Sequence, residues 1–443
     1  MIMQAATAES AVEQRAIQVL NEIFADCSLD RVAVRLWNGK PWPDERPRPA
    51  TIVLKHPGAL RRMFLPGSEI GLAEAYMYDD FDLEGDIEAA FDIADFLLTR
   101  VRDWRTKVRL ASALLALPGG EGSTLRAAAS RLLPDLRGRR HSRERDRRSV
   151  TFHYDVSNNF YRLWLDSRMV YSCAYFQSPD DGLDAAQECK LDYICRKLRL
   201  RPGQRLLDIG CGWGGLILYA ARHYGVHALG ISLSEPQVEW ARACIAKAGL
   251  EGQVSVDLRD YREIAADRDR PPYDAVVSVG MAEHVGRERL KDYFKIAFGA
   301  LKPGGVFLNH AIGESIAASR GHTRDSFIHR YVFPDGDLQP LPVVLEAAES
   351  AGFEIRDVEN LREHYALTLR HWLRRLENHY LEARFIVDEP TYRTWRLYLA
   401  GAAHGFRRAW TAVYQTLLAK VDRECNAHLP LTRNDWYHTA ATR

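Results

Sequence analysis

In VVSVGMAEHVG, residues 276–286, an apolar run rich in β-branched side chains ends at Gly280. It opens into a carboxylate and an imidazole, Glu283 and His284, with a bare Ala282 before them. A second imidazole, His310, stands near the end of VFLNHAI, and a thiol, Cys173, lies inside YSCAYF. Such groups, with phenols such as Tyr365 in EHYALTL, are the ones that donate, accept and hold protons. Position alone leaves a structural alternative open for each. His310 is equally a hydrogen-bonded core histidine, and His284 fits a structural hydrogen-bonder better than a catalyst. Cys173 fits an ordinary buried cysteine, and Tyr365 could simply pack on its helix.

The other chemical signal is LLDIGCGWGG, where Asp208 stands in a short apolar strand and Gly210, Gly212 and Gly214 form the turn into a helix. Glycines there permit tight backbone geometry and let amides approach a ligand without a Cβ in the way. Many ligands use such a turn, so by itself it is a weak signal. The next strand ends in GISLSEPQ, with no acidic residue for ribose hydroxyls, which leaves Ser232 and Gln237 as the polar groups. Ser234 suits an N-cap. After the third strand, Asp260 and Tyr261 are placed for the edge and face of a nucleobase.

The elements that must hold these residues alternate. RLLDI, VHALGIS, VSVDL, DAVVSVG and VFLNHAI read as strands. GWGGLILYAARHYG, EPQVEWARACIAKAG and ERLKDYFKIAFGALKPGG read as helices, the first two stopped by Gly225 and Gly249. That rhythm predicts an α/β fold with a doubly wound, mostly parallel sheet. From about residue 313 an aromatic-rich insertion interrupts it, FEIRDVEN resumes with a strand, and 361–420 reads as mostly helical. Residues 20–70 look strand-rich (RVAVRLW, TIVLKH) and are followed by helical segments, a small α+β domain. The expected organisation is therefore a small domain over 1–136, a basic linker over 137–150 and the α/β domain over 151–443. The linker, RGRRHSRERDRRSV, is either a solvated hinge or a patch that docks on anionic headgroups.

With 443 residues, 47% hydrophobic and 27% charged, the chain can bury a sizeable core without disulfides or metal. Lys+Arg 60 against Asp+Glu 59 leaves no global field directed at nucleic acid. Seven cysteines without a CxxC pair favour a reducing compartment over a disulfide framework or zinc site. MIMQAATAESAVEQR lacks a signal-peptide pattern, and no apolar run approaches the roughly 18 residues of a membrane span. The expectation is a cytoplasmic protein that meets lipid only from the surface, at the inner face of the cell membrane.

Taken together, YDVSNNFYRLWLDSRMVYSCAYF, AAQECKLDYICRKLRLRPGQRLLDIGCGWGG, GISLSEPQ, GMAEHVG, FIHRYVFPDGDLQP and HYALTLRHW resemble the cyclopropane-fatty-acyl-phospholipid synthase family, which includes the cyclopropane mycolic acid synthases. The likeness runs from about residue 150 to the C-terminus, and GLAEAYM resembles the small N-terminal domain of the bacterial phospholipid enzymes. It implies a Rossmann-like class I methyltransferase sheet with a helical lipid-binding insertion. The activity it implies is transfer of a methylene group from S-adenosylmethionine to the cis double bond of an unsaturated phospholipid acyl chain. Cofactor contacts then fall to Tyr171, Ser172, Asp208, Gly210, Gly212, Gly214, Ser232, Gln237, Asp260 and Tyr261. The family's base is a bound bicarbonate ion, and Cys173, Glu283, His310, Tyr365 and the Ile312 amide match its pocket. The resemblance suggests a membrane phospholipid and a second copy of the chain as partners, beside the anionic membrane surface on which the basic linker could dock. Phe327, Tyr331, Phe333, Tyr175, Phe176, Trp213 and Trp372 are candidates to line an acyl tunnel or face a cation.

Two positions depart from the family. Ala282 stands where a phenylalanine is usual, and Asp335 where a glycine is usual. A displaced base would let the intermediate cation lose another proton, so a methyl- or methylene-branched lipid is the alternative to a ring. A small-molecule N-methyltransferase would leave the N-terminal domain without purpose. A non-catalytic lipid-binding protein would not need the glycine turn.

Overall fold

The computed structural model describes residues 2–99, 103–119, 138, 140–154, 156–267, 271–316 and 326–437. The chain divides into two compact units. The first comprises Met1–Leu133 and two later returns of the chain, Thr323–Val332 and Arg384–His404. Those returns were not visible as a composition shift, and they take part of the expected insertion into the N-terminal unit. This unit holds a four-stranded sheet of β1 (Val32–Arg35), β2 (Pro41–Trp42), β3 (Ala50–Leu54) and β4 (Phe81–Gly85) in the order β2-β1-β3-β4. Arg393, returning from the C-terminal part of the sequence, donates to the carbonyls of Tyr76 and Phe81 and pairs with Asp79 and Asp82.

The second unit carries a seven-stranded sheet: β5 (Arg205–Ile209), β6 (His227–Ser232), β7 (Val254–Leu258), β8 (Tyr273–Val279), β9 (Leu301–Glu314), β10 (Glu354–Asn360) and β11 (Thr411–Ala419). The order is β10-β11-β9-β8-β5-β6-β7, with β11 antiparallel to both neighbours and the remaining pairs parallel. The seventh strand, β11, is the element that the reading of 361–420 as mostly helical missed. TAVYQTLLA mixes Leu and Ala with β-branched residues, and pairing with β9 along nine residues overrides its local ambiguity.

Strand periodicity divides the core. Leu206, Val277 and Leu308 face one apolar cluster beneath the Leu183–Lys197 and Gly215–Tyr224 helices. Leu207, Ile209, Val276 and Phe307 face the other, with the Leu290–Ala300 helix. Each such fully buried side chain contributes about 1.5–3 kcal/mol. By the same alternation Asp208, His310 and Ile312 lie on the first face. Chain order reverses between β5 and β8, so the crevice at their carboxyl ends is where such a sheet binds ligands.

Candidate active site

A cavity of about 140 Å³ opens at that reversal, at the ends of β5, β6 and β8. Of the residues expected to hold the cofactor, Tyr171, Ser172, Asp208, Gly210, Gly212, Ser232, Gln237 and Tyr261 line it. Gly210 has φ +86°, and a Cβ there would come within 3.0 Å of the Met281 side chain. An L-residue would be both strained and crowded. Ser232 Oγ donates to Gln237 Oε1 at 2.8 Å, so the two polar groups at the end of β6 are held as a pair. Ser234 stands at the N-cap of the Glu235–Ala248 helix but makes no cap bond, and its hydroxyl has no partner.

Gly214 and Asp260 do not line the cavity. Gly214 caps the Gly215–Tyr224 helix, its Cα facing Ala241. Asp260 is taken up by Arg262, with contacts of 2.8 and 2.5 Å, and by the Arg262 amide at 2.9 Å. Arg262 also reaches Asp146 at 3.1 Å, and Arg262, Asp146 and Arg259 are charged groups that line the cavity there.

Beside this cavity stands the acid of GMAEHVG. Gly280, φ +70°, turns the chain out of β8, and its N–H donates to His310 O at 2.8 Å. Glu283 follows on a short 3₁₀ turn and is buried; its Oε1 accepts from the Ile312 amide at 2.7 Å. Among the described residues its Oε2 has no partner, and neither does His310 Nε2. Gln415 on β11 meets His310 Nδ1 at 3.2 Å. Burial pushes the Glu283 carboxyl up to about 7 against the opposing Ile312 N–H, and holds His310 neutral.

Cys173 and Tyr365 converge on Leu361. The Cys173 thiol lies 3.8 Å from Leu361 O, the Tyr365 N–H donates to the same carbonyl, and Leu361 N–H donates to Val413, opposite Ile312. Burial raises the Cys173 thiol far above its usual range, which removes it as a thiolate nucleophile. Tyr365 packs on Phe406 and Trp372 at 4.6 and 6.0 Å. Of the other aromatic candidates, Trp213 lines the cavity, while Tyr175 and Phe176 stack on His364 and His371. His284 lines the cavity, and burial with His141 nearby pushes it down to about 4.

Both departures from the family acquire a setting. Ala282 is buried in the apolar cluster with Val285 and Ala311 and does not line the cavity. Asp335, only 3% exposed, is gripped by Arg145 through two contacts of 2.8 Å, with Arg140 at 3.7 Å. Part of the arginine-rich segment is thus neither solvated nor a linker. Arg143–Tyr154 is a helix, and His141 touches the carbonyl of His284 at 3.2 Å. Arg143, Arg147 and Arg148 stay exposed; Arg137 and Arg139 lie outside the described residues.

Sequence reasoning passed over Lys190, Asp146, Arg262 and Gln415. All but Gln415 line the cavity, and nothing in their local sequence separates them from surface polar residues.

Residues 141–416 match the family model for mycolic acid cyclopropane synthetase. A probable fatty acid methyltransferase of Pseudomonas putida is 40% identical over 407 residues, covering 91% of this chain and 95% of that protein. The cyclopropane-fatty-acyl-phospholipid synthase of Escherichia coli K12 is 33% identical over 84% of this chain and 88% of its own length. Among solved structures, mycolic acid cyclopropane synthase CmaA1, complexed with SAH and CTAB, superposes with a TM-score of 0.57 at 34% identity, covering 61% of this chain and 97% of that one. The chain belongs to the mycolic acid cyclopropane synthetase family and is an S-adenosylmethionine-dependent methyltransferase.

Proposed function

We propose that the enzyme adds a methylene group from S-adenosylmethionine to the cis double bond of an unsaturated phospholipid acyl chain, with bicarbonate held at Glu283 as the base. The observation that carries the second half is a pair of buried orphans. Glu283 Oε2 and His310 Nε2 lack partners while Ile312 N–H fixes the other carboxyl oxygen. An acceptor and a ring nitrogen left empty in a buried site suit a small hydrogen-bonding anion with a hydroxyl of its own. In this reading Cys173 and Tyr365, which meet at Leu361, would add a thiol and a phenol to the anion's donors. Bicarbonate, when bound, would supply the acceptor for the proton that the reaction releases.

The chemistry needs little else from the protein. The π electrons of the alkene take the methyl carbon while the carbon–sulfur pair leaves with sulfur as S-adenosylhomocysteine. The cation left on the chain loses a proton from the added methyl as the ring closes. Tyr171 lines the cavity and packs on Trp164 and Trp372, both fully buried behind it, the three ring centroids lying 5.2–5.6 Å apart. An aromatic face such as that of Tyr171 stabilises positive charge without offering it a nucleophile.

Support for a lipid surface comes from the Trp104–Leu115 helix. Trp104, Val108 and Leu115 recur at i, i+4 and i+11 and are 69%, 57% and 53% exposed. Arg105, Lys107 and Arg109 accompany them, Arg109 paired with Glu22, and the helix contains no acid. An apolar stripe with basic flanks is the pattern of a helix lying in the interface of an anionic bilayer. No helix among the described residues is long and apolar enough to cross a membrane.

A second reading is methylation without ring closure, favoured by Ala282 and by the similarity to a probable fatty acid methyltransferase. Expression in a bacterium lacking its own synthase, fed methyl-labelled methionine, separates the two by mass spectrometry of the fatty acids. A gain of CH2 with the double bond lost means a ring; the same gain with the double bond kept means a branch. No label in lipid refutes both.

A further inference from the structure

The Leu183–Lys197 helix buries three polar side chains along one face, Gln187, Lys190 and Lys197, each no more than 1% exposed. Two of them are accounted for. Gln187 donates to the carbonyls of Val170 and Ser172, which fixes the strand of chain entering YSCAYF. Lys197 is neutralised by Glu359 and Asp357. Lys190 is different. Its Nζ donates to Ser172 Oγ at 3.0 Å, and among the described residues no carboxylate stands within ion-pair distance of it. An ammonium has three donors and no acceptor, so two N–H groups and a full charge remain unspent in a buried place. Isolated buried charges are among the costliest features a fold can carry, and a bound counter-ion is the usual reason one persists.

Lys190 lines the cavity of the glycine turn, and so does Asp208, whose Oδ1 also lacks a partner among the described residues. Burial pushes Lys190 down to about 8 against the opposing charges of Asp166 and Asp208, and Asp208 up to about 7 against that of Lys190, so desolvation outweighs the attraction on both. Both lie on the same face of the sheet, one on β5 and the other on the helix covering it. A cavity presenting one unspent cation and one unspent anion is built for a zwitterion. The methionyl end of S-adenosylmethionine is one, with an α-carboxylate and an α-ammonium on a single carbon.

We propose that Lys190, held in place by Ser172, receives the α-carboxylate of the bound cofactor and so positions its methionyl arm, with Asp208 facing the α-ammonium. The inference rests on the cofactor assignment and not on the identity of the lipid. Glu283, His310, Cys173 and Tyr365 do not line this cavity, which places the amine on the cofactor's side rather than with the candidate bicarbonate group.

The test is calorimetric titration with S-adenosylhomocysteine, which carries the amino-acid arm, and 5′-methylthioadenosine, which lacks it. Lys190→Met keeps length and removes charge. It should weaken S-adenosylhomocysteine about 10- to 100-fold, the worth of a charge-assisted contact, and change methylthioadenosine less than about twofold. Ser172→Ala should show the same selective loss in smaller measure, and it decides the matter if Lys190→Met does not fold. Equal weakening of both ligands means a structural role and overturns the proposal, as does no weakening of either. Unchanged S-adenosylhomocysteine affinity with a raised bicarbonate requirement for methyl transfer would overturn it too, by assigning the amine to the anion pocket.

Discussion

Removing Arg145 should destabilise the catalytic unit more than removing its partner Asp335, although the two share one bidentate contact. The asymmetry follows from burial. The Asp335 side chain is 4% exposed and the Arg145 side chain 20%. In Arg145→Met the carboxylate remains buried, and its remaining ion-pair partner among the described residues is Arg140 at 3.7 Å, a distance at which the hydrogen bonds are gone. Breaking a buried pair in this sense costs about 3–5 kcal/mol, and the residual arginine puts the expected loss near 3 kcal/mol. In Asp335→Ala the guanidinium is closer to solvent and can turn toward water, so the loss should be about 1–2 kcal/mol. At about 2–4 °C per kcal/mol for a unit of this size, the melting temperature should fall by about 6–12 °C in the first variant and by about 2–8 °C in the second. The double variant should be less damaged than the sum, because each single change leaves the other charge unpaired. Thermal and guanidinium unfolding, followed by intrinsic tryptophan fluorescence, measures all three. The same segment presents Asp146 to the cavity through Arg262, so S-adenosylhomocysteine should also dissociate faster from Arg145→Met in stopped flow. Equal losses, or simple additivity, would refute the reasoning.

Glu283 offers a stability test that needs no substrate. Its carboxyl sits at about 7 in the fold against an ordinary 4.5, so its contribution is fully present below pH 4.5 and is lost as pH rises through 7. Glu283→Gln should therefore gain on the wild type by about 3 kcal/mol between pH 4.5 and 8 while losing methyl transfer; a difference that stays flat with pH would show that the carboxyl is not held neutral. Trp104→Asp with Val108→Asp should lower binding to phosphatidylglycerol vesicles at least tenfold and leave turnover of detergent-dispersed lipid unchanged, since both side chains already face solvent. Undiminished vesicle binding would move the lipid contact elsewhere. Gly210→Ala should abolish S-adenosylhomocysteine binding, because φ +86° and the Met281 side chain both oppose a Cβ; retained affinity would refute the close-packed turn.

Much of the catalytic unit was legible because its constraints are local. A strand followed by glycines that need positive φ, and strand–helix alternation punctuated by Gly225 and Gly249, write themselves into short stretches of sequence. What stayed hidden depends on partners distant in the chain. Asp335 and Arg145 are 190 residues apart, so a charged segment that looks solvated is in part a buried clamp. Strand β11 takes its conformation from β9, about 100 residues earlier, and its Leu and Ala content gave no local hint. Lys190 sits in AAQECKLDYICRK, where a polar residue at helical spacing resembles any solvent-facing lysine; only the packing of that helix on the sheet turns it inward.

Ala282 now bears on the product in a narrower way. Ring or branch is decided by which proton of the cation is taken, and that depends on where the base is anchored rather than on how strong it is. The proposed anchor is tightly held: Gly280 is tied to His310, Glu283 to Ile312, and His310 to Gln415 across adjacent strands. Ala282 precedes that anchor on the same 3₁₀ turn and points its methyl group into the apolar cluster. A larger side chain there would have to displace core residues, and the turn bearing Glu283 would move with them. Ala282→Phe is thus a probe of the anchor and not of the cavity wall. If position of the base selects the product, this variant should change the ratio of cyclopropane to branched lipid while S-adenosylhomocysteine affinity holds. An unchanged ratio would place the choice of proton with the lipid itself.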